Sequence, residues 1–314
     1  MSRHILVLGG AHLDRRGRIA GATAPGASNP GSWLEEAGGG GFNAARNLAR
    51  LGFAVRMISP RGGDAAGDSV AQAALAAGID DRPFVFLDRR TPSYTAILEK
   101  DGNLVVALAD MELYRLFSPR RLRIRAVRDA FAAAELVFCD ANLPQETVSA
   151  IAALCTAERK PLAAIGISPA KIVRLKPSLA ALDYLFMNEA EAEALTGQRP
   201  QLPEGWPALL RQAGLRCGVV TRGRGDMIGF DQHQSFALLP PEIAEVADVT
   251  GAGDALAAGI VGARLSGMAF SEALRWGAAA AALTVQSPQA AADNLSRTAL
   301  AAILGLVPPA KILS

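Results

Sequence analysis

The chain has 314 residues and a mass of 32.7 kDa, with 50% hydrophobic and 20% charged residues. That composition builds a large core and excludes a disordered chain. Lys plus Arg number 32 against 30 for Asp plus Glu, a net charge of +2 without the concentrated basic excess that nucleic-acid or membrane-surface binding requires.

Taken in chain order, Met1-Ser2-Arg3-His4 leads straight into the apolar run Ile5–Leu8. That run is too short for a signal-peptide core and no small-residue cleavage site follows it, so a cytoplasmic protein is expected. Further strands are predicted at Ala54–Ile58, Leu136–Cys139, Leu162–Ile165, Tyr184–Met187 and Cys217–Thr221. Helical patterns lie between or after them at Asn43–Leu51, Asp68–Ala77, Pro119–Ala134, Pro144–Glu158, Glu189–Leu195 and Trp206–Ala213. From Gly253 the chain reads as helix, over Ala255–Ser266, Ser271–Leu283 and Arg297–Leu304. Alternation of this kind is the signature of an α/β fold around a mainly parallel sheet. Two regions break it. Residues 11–37 carry the Gly/Pro-rich loop stretch Gly21 to Gly31, and residues 83–110 read as paired strands, Tyr94–Leu98 and Leu104–Leu108, around Asp101-Gly102-Asn103. Together they predict a small β lid on one main domain spanning 1–314. The longest uncharged apolar stretch, Trp276–Val285, is half a membrane span.

Cys139, Cys155 and Cys217 are odd in number, widely spaced and set in apolar runs, which reads as buried free thiols. His4, His12 and His233 offer no metal-ligand spacing, so a catalytic zinc site is not expected.

The richest stretch is Asp248-Val249-Thr250-Gly251-Ala252-Gly253-Asp254, a small-residue turn opening into a helix. The N–H groups of Gly251, Ala252 and Gly253 can converge at the positive helix end and hold an anion. Asp254 then sits in the first helical turn, beside that anion. Alone it could simply complement the helix dipole. With Gly-Ala-Gly before it and Gly259 and Gly262 after it, a general base next to an anion hole is the better reading, an arrangement suited to phosphoryl transfer onto a hydroxyl. Gly9-Gly10-Ala11 follows the first strand without a G-x-G-x-x-G, so a dinucleotide fingerprint is rejected.

The segment Gly38-Gly39-Gly40-Gly41-Phe42-Asn43, continuing to Gly52, resembles the N-terminal signature of the PfkB (ribokinase-like) family of carbohydrate and nucleoside kinases. Asp248 to Asp254 resembles its C-terminal signature, and the two lie about 210 residues apart, in the family's order. The resemblance covers the whole chain. It implies a ribokinase-like three-layer α/β sandwich with a mainly parallel central sheet and a β lid, ATP and Mg2+ as cofactors, and a sugar or nucleoside acceptor. It implies Asp254 as base with Gly251, Ala252 and Gly253 as anion hole. Asp14 would accept sugar hydroxyls, though it could also be a surface ion pair. Gly39 and Gly40 would let the sugar approach the backbone, with Asn43 bonding a ribose hydroxyl. Asn188 and Glu191, an N-x-x-E pair, would organise magnesium and phosphate through water, Asn188 being otherwise a helix cap. Thr221 and Gly223 match the nucleotide-contacting turn, where Asp226 stands in place of the usual second glycine and Gly225 precedes it. Asp248 and the Thr250 carbonyl match a monovalent-cation site, so K+ is a candidate cofactor, although residues 286–290 lack the glycine often found there.

Within the family the chain is most similar to pseudouridine kinases, through Gly10–Asp14, Ser28–Gly31, Pro92–Ala96, Ala107–Met111 and Asp140–Leu143. That similarity implies phosphorylation of the 5′-hydroxyl of pseudouridine, with Ser93, Tyr94 and Thr95 facing the base. Asn142 takes the place of a sugar-contacting acid. Lys171 reads as a solvated lysine in preference to one that reaches substrate or phosphate. The alternatives are another nucleoside, ribose or a ketose as acceptor, and, more remotely, a degenerate kinase fold that only binds ligands. Free strand edges on the lid point to a homodimer, and charged edges such as Arg89-Arg90 to a monomer.

Overall fold

A computed structural model describes residues 3–313. The strands are β1 (His4–Leu8), β2 (His12–Ile19), β3 (Gly31–Gly38), β4 (Ala54–Ile58), β5 (Pro60–Gly62), β6 (Asp80–Asp81), β7 (Phe84–Phe86), β8 (Ser93–Leu98), β9 (Leu104–Asp110), β10 (Leu136–Asp140), β11 (Leu162–Ile165), β12 (Tyr184–Asn188), β13 (Gly218–Arg222), β14 (Gly225–Phe230), β15 (Ser235–Leu238) and β16 (Lys311–Leu313). The helices are α1 (Gly40–Arg50), α2 (Ala65–Ala76), α3 (Arg125–Ala133), α4 (Gln145–Ala157), α5 (Pro169–Ile172), α6 (Glu189–Thr196), α7 (Trp206–Gln212), α8 (Ala252–Leu265), α9 (Phe270–Val285) and α10 (Arg297–Ile303).

The main sheet has ten strands in the order β16-β15-β14-β13-β12-β11-β10-β1-β4-β6. From β6 to β13 every pairing is parallel, and β14, β15 and β16 continue it antiparallel. The two faces fill as strand alternation requires. Ile5 and Val7 enter one core with Phe42, Leu48, Leu256 and Ile260, while Leu6 and Leu8 enter the other with Val148, Ile151 and Trp206. Helices α1, α8 and α9 therefore cover one face and α4, α6 and α7 the other, giving the expected three layers. Cys139, Cys155 and Cys217 are buried free thiols in these cores, and burial pushes Cys155 up to about 12.

A second sheet of four strands runs β3-β2-β8-β9. Its pieces come from within residues 12–38 and 93–110, whereas β7 leaves it to pair with β5. The helix expected over Pro119–Ala134 is broken. A 3-10 turn, Pro119–Arg123, ends at the extended Ile124 before α3 begins. Arg121 anchors that turn, its guanidinium stacked over Phe84 and Phe86 at 4.8 and 4.5 Å. The apolar stretch at Trp276–Val285 is the buried part of α9, and no described helix is long and apolar enough to cross a membrane.

Chain order sets the site. β1 lies third from one edge of the sheet, with β4 on one side and β10 on the other. The connections leave β1 and β10 in opposite directions, and in such sheets the carboxyl ends of the two strands open a crevice.

Candidate active site

A cavity of about 720 Å³ opens between that crevice and the small sheet. Its lining brings together Asp14, Gly39, Gly40, Asn43, Tyr94, Asn142, Lys171, Asn188, Glu191, Thr221, Thr250, Gly251, Gly253 and Asp254, residues spread from the second strand to the eighth helix. Ser93, Thr95, Gly223, Gly225, Ala252 and Asp248 do not line it. The pleat accounts for the first two: Asp14 pairs with Tyr94 and Tyr94 with Ala109 across the small sheet, and that row faces the cavity. Ser93 and Thr95, on either side of Tyr94, take the opposite face. Gly223, at φ 60, makes the tight turn between β13 and β14, and Gly225 pairs with Arg222 in that hairpin.

The floor rests on a carboxylate that sequence reading left without a role. Asp140, fully buried at the end of β10, accepts hydrogen bonds from the backbone N–H of Gly10 (2.8 Å), Gly41 (2.8 Å) and Asn142 (2.9 Å) and from the Asn142 amide (3.0 Å). One side chain thus ties the end of β1, the start of α1 and the end of β10 together. Such a buried charge is tolerable because it is saturated with donors. Asn142 passes the connection on, its Oδ1 accepting from Lys171 Nζ at 2.6 Å. Lys171 is half-buried in the cavity rather than solvated, and burial lowers its pKa against the opposing pull of Asp140.

Asp14 stands across the cavity. Its Oδ1 lies 3.2 Å from His12 Nε2, and His12 Nδ1 lies 2.8 Å from the Tyr114 hydroxyl. The Asp14 carboxylate can only accept, so His12 Nε2–H donates to it; in that neutral tautomer Nδ1 accepts from the Tyr114 O–H. His12 and Tyr114 were missed because they meet over 102 residues. A Cβ at Gly38 would stand 2.0 Å from Asp14 Oδ2, which explains a glycine there.

Helix α8 begins at the second signature. Gly251 is left-handed at φ 77, and a Cβ on it would strike the Ala290 carbonyl at 1.8 Å, so glycine alone fits the turn. No side chain caps the helix. The Ala252 N–H donates to the Val249 carbonyl at 3.3 Å, so Ala252 does not join the expected anion hole; the N–H groups of Gly251 and Gly253, both on the cavity wall, are the ones free for an anion. Asp254, in this first turn, accepts from Asn43 Nδ2 at 2.8 Å. Asn43 in turn accepts from Arg46 at 2.6 Å, so its amide oxygen is engaged within the protein and one N–H remains for a ligand. Burial pushes the Asp254 pKa up to about 7, against the lowering effect of the Asn43 bond; Asp140 and Glu191 push it further up and Arg46 down. A carboxylate of that pKa is a competent proton acceptor near neutral pH. Beside it Ile167, at φ 76, holds a left-handed conformation rare for a β-branched residue and seats its Cδ1 against Gly40.

Asn188 and Glu191 form a capping box on α6: Asn188 Oδ1 accepts from the Glu191 N–H (2.9 Å) and Glu191 Oε2 from the Asn188 N–H (3.0 Å). Both still line the cavity. Among the described residues no three carboxylates, histidines or cysteines converge on a metal. Magnesium, which keeps waters and phosphate oxygens, needs only one or two carboxylates. Glu191, buried and with its Oε1 outside the cap, fits that demand.

Asp248 and Thr250 do not fit a monovalent cation. Asp248 Oδ1 accepts from both N–H and Oγ1 of Thr250, at 2.8 and 2.7 Å, and Oδ2 accepts from Arg16 at 2.5 Å. A guanidinium already stands against this carboxylate.

A crevice at the reversal of a parallel sheet, with an uncapped helix end next to a buried carboxylate, sits in a fold of the ribokinase-like class. The chain belongs to the pfkB family of carbohydrate kinases, whose description matches residues 2–297. It is therefore an ATP-dependent phosphotransferase acting on a small sugar or nucleoside. The chain is 62% identical to a carbohydrate kinase from Agrobacterium tumefaciens of known structure, with a TM-score of 0.91 over 99% of this chain and 100% of that one. It is 27% identical over 315 residues to the pseudouridine kinase of Escherichia coli, covering 99% of this chain and 98% of that protein. Arabidopsis thaliana ribokinase, solved with ribose and ATP, shares the fold at a TM-score of 0.83 and 23% identity, over 97% of this chain and 99% of that one.

Proposed function

We propose that the chain transfers the γ-phosphoryl group of ATP to a primary hydroxyl of a sugar-bearing acceptor, with Asp254 as general base. The observation that carries the reading is the Asp254 carboxylate, held by Asn43 in the first turn of the uncapped α8 and facing the cavity. Asp14, steadied by His12, accepts hydrogen bonds from sugar hydroxyls, and Tyr94 covers the ring. Gly39 and Gly40 let the sugar approach the backbone, while Asn142 and Lys171 close the far wall. The acceptor hydroxyl gives its proton to Asp254 as its oxygen bonds the γ-phosphorus, and the bond from that phosphorus to the β–γ bridging oxygen breaks, releasing ADP. In a loose transition state the proton leaves late, so alignment matters more than strong basicity. The N–H groups of Gly251 and Gly253 receive the charge on the transferring group. The nucleotide lies toward Asn188, Thr221 and the Gly223–Gly225 turn. Magnesium, held by Glu191 through water, neutralises phosphate charge when bound.

For the acceptor, a carbohydrate has the stronger support, because the 62% identical structure is described as a carbohydrate kinase. Pseudouridine is the second reading, favoured by the E. coli pseudouridine kinase, which aligns over nearly the whole of both chains. ADP release with Mg-ATP, measured across ribose, fructose, uridine, adenosine and pseudouridine, separates the two. The position of the new phosphate is read by 31P NMR. No ADP release above background with any sugar or nucleoside would leave a ligand-binding protein on a kinase fold. We also infer that the small sheet acts as a lid and pairs with a second copy, since its edge strands expose Trp33, Leu104, Val106 and Leu108.

A further inference from the structure

We propose that Arg16 is a tethered cation that takes the place of a monovalent metal ion at Asp248, so that the enzyme works without K+. This rests on the kinase reading only where activity is measured.

Arg16 projects from β2, on the same face of the small sheet as Asp14. Its guanidinium donates to Asp248 Oδ2 at 2.5 Å and to Glu36 Oε2 at 3.2 Å. Glu36, on β3, accepts from the Ala290 N–H at 3.1 Å through its other oxygen. Ala290 is also the residue against which Gly251 packs. Asp248, Gly251 and the 286–290 loop are the three backbone pieces that a cation beside the anion hole would have to join. Here they are joined by Arg16 and Glu36. A second positive charge at Asp248 would meet the guanidinium at close range, on a carboxylate whose two oxygens already accept three hydrogen bonds.

The tether does something a free ion cannot. Arg16 belongs to the sheet that carries Asp14, whereas Asp248 opens the turn that presents Gly251 to Asp254. Glu36 also lies 3.6 Å from Arg46, which bonds Asn43, which bonds Asp254. An unbroken run of charged and amide groups thus connects the acceptor side of the cavity to both ends of the catalytic turn. Arg16 is a positioning residue: it does not line the cavity.

The test compares KCl, NaCl and choline chloride at matched ionic strength. Wild-type turnover is expected to agree within about twofold in all three salts, and its melting temperature to be the same in KCl as in choline chloride. Arg16→Met is expected to lose about tenfold in turnover and to regain part of it with K+ or guanidinium, along with a saturable rise in melting temperature. A merely structural arginine would give no cation-specific rescue. Saturable activation of the wild type by K+, or a K+-specific rise in its melting temperature, overturns the proposal. Both wild-type readings stand if Arg16→Met does not fold. If no acceptor is phosphorylated, the melting measurements still decide the role of Arg16, while the kinase reading fails separately.

Discussion

Asn43 and Asp254, 211 residues apart, share a 2.8 Å hydrogen bond that joins the first turn of α1 to the first turn of α8. Each glycine-rich signature therefore supplies one member of a single pair. The bond does two things at once: it fixes the carboxylate in place, and it favours the ionised form against the burial that raises its pKa to about 7.

Replacing Asp254 by Asn keeps the shape and removes the proton acceptor. Turnover is expected to fall about 10²–10⁴-fold, with acceptor affinity little changed, because Asp14, Asn142 and Lys171 remain. Calorimetric binding of acceptor set beside steady-state kinetics checks this. Unchanged turnover would remove Asp254 from the mechanism.

Asn43→Ala withdraws the bond that lowers the Asp254 pKa. The acid limb of the kcat profile, expected near pH 7 in the wild type, should move to higher pH in the variant. Activity lost at neutral pH should then partly return in alkaline buffer. An unmoved limb would mean that Asp254 is not the group titrating.

Local pattern made part of this site legible in the sequence. Gly251 to Asp254 and Asn188 to Glu191 each form a site element within one turn of chain, and spacing alone reveals such units. Short continuous apolar runs likewise marked the β1, β10 and β11 strands, whose faces are both buried. Asp140, Arg16 and His12 gave no comparable signal, because the partners that tie them into the site, Gly41, Asp248 and Tyr114, lie 99, 232 and 102 residues away. Ser93 and Thr95 went astray for another reason. Residue type suggested contact with a base, but the register that pairs Asp14 with Tyr94 decides which face of β8 looks inward. β14 and β15 were overlooked since Gly225–Phe230 begins and nearly ends in glycine, a weak strand pattern that holds only by pairing with β13.

Asp140→Ala leaves the N–H groups of Gly10, Gly41 and Asn142 buried without an acceptor. The cost is expected to be about 3–5 kcal/mol, read from urea denaturation with an unchanged slope. A loss within the range of an ordinary surface substitution would show that water replaces the carboxylate. That outcome would end its role as the pin between β1, α1 and β10.

Leu108, 71% exposed on the edge strand β9, lies outside the cavity. Leu108→Glu is expected to shift a homodimer to monomer in light scattering while the melting temperature of the chain changes little. A wild type that is monomeric at all concentrations would rule out pairing through this sheet.

The pH dependence of stability carries an independent sign. Asp254 has a folded pKa of about 7 against an ordinary value of 3.8, so between these the native state holds a proton that the unfolded chain has lost. Its contribution is thus fully present below about pH 4 and is lost as pH rises through 7. Asn at this position never ionises and never bears that loss. Asp254→Asn should therefore match the wild type in acid and exceed it at pH 8 by roughly 2–4 kcal/mol. Denaturation of both proteins across this range tests it. A variant less stable than the wild type at pH 8 would mean that the ionised carboxylate is held favourably, and the raised pKa would have to be abandoned along with the pH limb assigned to it.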